Sequence, residues 1–103
     1  MTTEIVQHGR ETGYYEISVD GEPAGRLEFR DMEGRRAFTH TEVDEAFEGQ
    51  GLAGQLARRV LDDARAEGLA IVPLCPYVAR YLEKHPDDQD LVDVELHRRL
   101  RGG

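Results

Sequence analysis

Two halves of this chain follow different periods. The connection between them, Glu48-Gly49-Gln50-Gly51-Leu52-Ala53-Gly54, constrains the fold more than any other feature. Before it, apolar residues alternate. Tyr15, Ile17 and Val19 share one face of residues 14–20, and Leu27 and Phe29 share one face of residues 24–31. A period of two is the signature of half-buried strands. Asp20-Gly21 and Glu33-Gly34 are turn signals between these runs. Residues 36–43, rich in Thr, Val and Phe, predict a fourth strand, and residues 4–8 a weakly patterned first one. Beyond the connection, Leu52, Leu56 and Val60 fall on one stripe with Ala53, Ala57, Leu61 and Ala64. That spacing predicts a helix from about Leu52, ended by Gly68. Residues 69–74 form a continuous apolar run, as in a strand buried on both faces. Strand, helix and strand in this order predict a right-handed crossover between two parallel strands. Pro76 to His85 reads as a short helix with its proline near the first position. Asp87 to Asp90 reads as a polar break, and Val92 to Gly103 as a frayed helix or a disordered tail.

A chain of 103 residues without repeats, linkers or low-complexity stretches makes one domain, residues 1–103, with a core from about 4 to 92. Its single cysteine, Cys75, excludes an intrachain disulfide and a Cys-rich zinc site, and no metal is expected. No apolar run is long enough to span a bilayer. The start, MTTEIVQHGRETG, lacks the pattern of a signal peptide. The expectation is a cytoplasmic chain, monomeric by preference. A net charge of −8 argues against nucleic acid or an anionic membrane as partner. It also means that any anionic ligand must be held by local donors rather than by the overall field.

The glycine connection could supply such donors. The first turn of a helix carries unpaired backbone N–H groups at the positive end of its dipole. Glycines let a phosphate approach them closely. Gly49, Gly51 and Gly54 also fit the dinucleotide pattern G-x-G-x-x-G. That pattern requires an acid near the end of the next strand, and here the strand ends at Leu74-Cys75-Pro76 in a chain too short for a doubly wound domain. A Walker-type loop is excluded because no Gly-Lys-Ser/Thr follows. From the residues alone, a loop whose glycines merely permit tight packing stays open.

Glu48 to Ala53 resembles the acetyl-CoA loop of the GCN5-related N-acetyltransferase superfamily, R/Q-x-x-G-x-G/A, with Glu48 in place of the usual Arg or Gln. More narrowly, the chain resembles a subfamily of predicted acetyltransferases of about 100 residues, minimal versions of that fold. The matching pieces are Phe38 to Val43, Gly49 to Ala53, Val72 to Val78, Tyr81 and His85-Pro86, within residues 13–86. The resemblance implies an α+β fold, with a mixed, mostly antiparallel sheet of about five strands, a long central helix and a short C-terminal helix. It implies acetyl transfer from acetyl-CoA to an amine, a protein lysine or a small basic amine, the alternative being a non-catalytic acyl-CoA binder. Cofactor contacts are implied at Val43, Glu48, Gly49, Gln50, Gly51, Leu52, Ala53 and Gly54.

It also implies that His40 and Cys75 sit near the acetyl group as base and thiol, with Tyr81 as candidate general acid. Amine acetylation needs a base for the amine proton and a donor for the developing oxyanion. A thiol activated by a neighbour or a helix N-terminus could accept the acetyl group first, and Cys75 directly precedes Pro76. On residue type alone, a lone cysteine ending an apolar strand is more often core, and so is a tyrosine on a short helix. Direct transfer and an acetyl-cysteine intermediate both remain open. Arg58 and Arg59 follow the loop and read as solvated helix surface or phosphate contacts.

Overall fold

The alternating runs become four consecutive antiparallel strands, and the crossover adds a fifth. The computed structural model describes residues 1–102. In it β1 (Thr3–Gly9), β2 (Thr12–Val19), β3 (Glu22–Met32) and β4 (Arg35–Val43) form a meander. The helix α1 (Leu52–Glu67) then returns the chain so that β5 (Ala70–Pro73) lies parallel to β4. The sheet order is β1-β2-β3-β4-β5. The short helix α2 (Pro76–Lys84) follows, then a 3-10 helix (Pro86–Leu91) and α3 (Val94–Gly102). The mixed, mostly antiparallel sheet with a central helix is the α+β architecture that the resemblance implies. The tail, expected to be frayed or disordered, is helical through Gly102, and Gly103 lies outside the described residues.

One sheet face meets α1. Tyr15, Ile17, Leu27, Phe29 and Phe38 pack with Leu56, Val60, Leu61 and Ala64 of the helix, all essentially without solvent exposure. Each large apolar side chain buried in this way contributes roughly 1.5–3 kcal/mol of transfer free energy. Gly68 ends α1 with φ 70°, donating to the carbonyls of Ala64 and Arg65. That left-handed cap is the conformation glycine adopts at least cost.

Three polar groups tie the layers together. Arg36 on β4 is 2% exposed. Its guanidinium donates to Asp31 at 2.6 and 3.1 Å and to Glu67 of α1 at 3.1 Å, and stacks 4.8 Å from the Phe29 ring centroid. The Tyr15 hydroxyl donates to Asp63 Oδ2 at 2.7 Å. Burial, with the Asp63 carboxylate, pushes that phenol well above its usual range. Asp88 accepts from Arg58 at 2.7 and 2.9 Å and from Arg65 at 3.4 Å. The stretch expected to be a polar break is therefore a 3-10 turn docked on α1 through this nearly buried carboxylate.

A bulge sets the two faces of β4. Phe29 pairs with Phe38 and Glu28 with His40, so Thr39 is an extra residue on β4. Phe38 points into the core with no exposure, whereas Thr39 and His40 are exposed. Beyond the bulge, Thr41 lies opposite buried Leu27 on the α1 side, and His40 and Glu42 lie on the open side.

Candidate functional site

The sheet splits where the site forms. Pairing between β4 and β5 ends at Phe38 and Pro73, and the Cys75 amide closes it by donating to the Phe38 carbonyl at 2.8 Å. Among the described residues, β4 runs on to Val43 without a partner strand on that side. A cleft of about 620 Å³ opens there. Its walls are Thr41, Glu42 and Val43 of β4, Phe47 and Glu48 after the strand, Gly49, Gly51, Leu52 and Ala53, and Tyr77 of α2.

The glycine connection forms the end of this cleft. Asp44 caps a 3-10 turn at Glu45–Phe47, its side chain accepting from the Ala46 amide. Gly49 and Gly51 then have φ of 84° and 74°, values that disfavour any side chain with a Cβ. Among the described residues no side chain caps the start of α1, and its first turn holds no acidic residue. Unlike most helix starts, this one leaves its first-turn amides without a side-chain acceptor. A Cβ built on Gly49, Gly51 or Gly54 would meet no atom within 4 Å. The glycines therefore leave open surface around these amides rather than permitting tight packing within the protein.

Glycines with open space around them, at a split in a mixed sheet, coincide with a family match. The sequence model of the GCN5-related N-acetyl-transferase family matches residues 14–91. The chain belongs to the GCN5-related N-acetyltransferase family. Among curated relatives, Protein NATD1 of Mus musculus is 30% identical over 88 residues, covering 84% of this chain and 80% of the relative. Protein NATD1 of Gallus gallus is 30% identical over 92 residues, covering 87% and 84%. That of Homo sapiens is 30% identical over 88 residues, covering 84% and 78%. The matched segment of this GCN5-related chain contains the whole cleft.

Of the residues expected to hold the cofactor, Val43, Glu48, Gly49, Gly51, Leu52 and Ala53 line the cleft. Gly54 lines an adjoining groove of about 550 Å³ between α1 and α2, which it shares with Gly51, Arg58 and Tyr81. Gln50 is exposed on the connection. Glu48, the departure from the family loop, stands exposed on the rim.

His40 and Cys75, which the resemblance places together near the acetyl group as base and thiol, do not form a pair. The Cys75 sulfur is buried on the α1 side, 3.0 Å from Thr41 Oγ1, one contact behind the cleft wall. The His40 ring is on the open face, its Nε2 2.9 Å from Glu42 Oε1. Successive strand residues point to opposite faces, so contact between Cys75 and Thr41 places His40 across the sheet from the sulfur. The imidazole is therefore not the base for this thiol.

Tyr81 lies one helical turn beyond the cleft. Its ring stacks on His85 at 3.9 Å between centroids and packs against the core. Tyr77, 48% exposed, is the α2 tyrosine that lines the cleft, and sequence reasoning passed over it. Its place directly after Cys75-Pro76, in the first turn of α2, was the available signal. Arg58 and Arg59 are committed within the protein, Arg58 to Asp62 and Asp88 and Arg59 to Asp63.

Proposed function

We propose that this chain transfers the acetyl group of acetyl-CoA to a primary amine. Acetyl-CoA supplies an acyl group activated as a thioester. The observation that carries the reading is the uncapped, glycine-bordered start of α1 at the end of a cleft along unpaired β4. Free first-turn amides and the helix dipole suit a diphosphate. The unpaired edge of β4 offers backbone groups to an extended amide-containing arm and an N–H to a developing oxyanion.

The opposite placement of His40 and Cys75 favours direct transfer. The thioester enters from the α1 side, and the acceptor comes from the open face. There His40 takes the amine proton, its ring oriented by Glu42. Cys75 backs Thr41 at the inner wall. A tyrosine hydroxyl of α2 protonates the departing thiolate. Tyr77, which lines the cleft, is better situated for this than Tyr81. Acceptors reaching His40 pass Glu28, Glu42 and Arg26 on an open face, which suits an extended basic segment or a small amine.

Calorimetric titration with CoA, together with thiol release from acetyl-CoA over a panel of amines, tests the proposal. Binding and turnover are both expected. His40→Ala lowers kcat by about 100-fold at unchanged CoA affinity, and Cys75→Ala retains most activity. Binding without turnover for any amine, and without an acetyl adduct on Cys75 by intact mass, would leave a non-catalytic acyl-CoA binder. No binding at all would remove the reading.

A further inference from the structure

The arginines of α1 are already committed. Arg58, Arg59 and Arg65 are each ion-paired to one or more aspartates. Two cations on α2 are different. Arg80 and Lys84, four residues apart and so on one helical face, are exposed and make no ion pair among the described residues. With Tyr77 and Tyr81 they line a hollow of about 170 Å³. Tyr77 belongs to both this hollow and the cleft, and Tyr81 to both the hollow and the α1–α2 groove. The hollow thus adjoins the glycine end of the cleft.

We propose that Arg80 and Lys84 recognise the 3′-phosphate of coenzyme A, with the ring of Tyr81 beside the adenine. This rests on the cleft's binding acetyl-CoA as argued above. In a chain with net charge −8, a tetra-anionic ligand needs positive charge that no internal carboxylate has claimed. Amides at the start of α1 serve the diphosphate but cannot also reach a phosphomonoester on the far side of a ribose. A pair of unclaimed cations beside the Tyr81 ring, in a hollow that shares Tyr77 with the cleft, has the chemistry that a phosphorylated nucleoside needs. The two residues thereby set specificity for CoA over its 3′-dephosphorylated form.

The test compares Kd for CoA and 3′-dephospho-CoA in the intact protein and in R80A/K84A. Both side chains are exposed, so the variant is expected to unfold at the wild-type temperature. Wild type should prefer CoA by about tenfold, a preference that shrinks at high salt because exposed charge is screened. The variant should bind the two ligands alike, at the affinity wild type shows for dephospho-CoA. Lys84 is the only lysine in the chain, which permits a check without substitution. CoA should protect it from an amine-directed reagent more than dephospho-CoA does, as read by peptide mass. Equal wild-type affinities, or a preference that survives in R80A/K84A, would overturn the assignment while leaving the cleft as a CoA site. Failure of both ligands to bind would overturn the assignment together with the reading of the cleft.

Discussion

Replacing Gly54 with alanine should make the protein more stable and worse at binding CoA. Gly54 is the third residue of α1, and a Cβ there would meet nothing within 4 Å beyond its chain neighbours and its own helix backbone. Its backbone is helical rather than left-handed, so folding does not require glycine. Alanine is favoured over glycine inside a helix by about 0.8–1 kcal/mol. So near the helix start, about 0.5–1 kcal/mol is a reasonable gain, or roughly 3–6 °C in Tm for a domain of this size. The ligand sees the opposite. A methyl group over the first-turn amides holds a diphosphate oxygen away from at least one of them. Losing one charge-assisted hydrogen bond costs about 1.5–3 kcal/mol, or roughly ten- to a hundredfold in Kd. Thermal unfolding gives the first quantity and calorimetric titration with CoA the second. Wild-type CoA affinity in Gly54→Ala would refute the idea that this position is kept bare for a ligand. A fall in Tm would refute the reasoning about the helix. Gly51→Ala is the control with the other sign: at φ 74° the substitution costs roughly 1–2 kcal/mol of stability, even though the space around it is open.

Glu48→Gln should tighten CoA binding by titration, up to about tenfold at low salt and about threefold at physiological salt. A rim carboxylate about 6 Å from a doubly charged diphosphate in water repels it by roughly 1.4 kcal/mol before screening, and about half that with salt present. Arg36→Lys should lower stability by about 2 kcal/mol in denaturant unfolding, because an ammonium cannot reproduce the fork that joins Asp31 and Glu67 inside the fold. Asp88→Asn should cost about 1–2 kcal/mol at neutral pH, a figure discounted because the Arg58 and Arg65 side chains are 39% and 47% exposed. Hydrogen bonding from Arg58 holds the Asp88 carboxyl below the usual carboxylate range. Its stabilisation is therefore complete above about pH 4–5 and fades as pH falls through the depressed native value. Unfolding curves of wild type and variant should converge in acid, and a constant gap down to pH 2 would contradict this account.

Much of the site was legible in the residues because the signals were local. Gly49 and Gly51 marked a connection whose backbone lies bare at a helix start, and the structure gives both a positive φ. Leu52, Leu56 and Val60 marked the helix that starts there, and residues 69–74 marked the buried strand it feeds. The order of strand, glycine turn, helix and strand gave the crossover, and the crossover put the start of α1 beside the end of β4. Asp88 was not legible. A run of acids reads as solvated unless its partners are known, and Arg58 and Arg65 are on another element, 30 and 23 residues away.

Periodicity within one element is set by that element's own side chains, so sequence alone placed the five strands and α1 and showed which stripe of α1 is apolar. Register between elements is set by partners far along the chain, and only the tertiary structure decided that. By simple alternation, Phe38, His40 and Glu42 would share a face. The pairing of β4 with β3 spends Thr39 on a bulge, which keeps Phe38 in the core and turns His40 outward. The same step turns Thr41 inward to Cys75. One extra residue in a cross-strand ladder thus separated imidazole from sulfur, because packing Phe38 beneath α1 and pairing Glu28 with His40 cannot both be met by an unbroken strand.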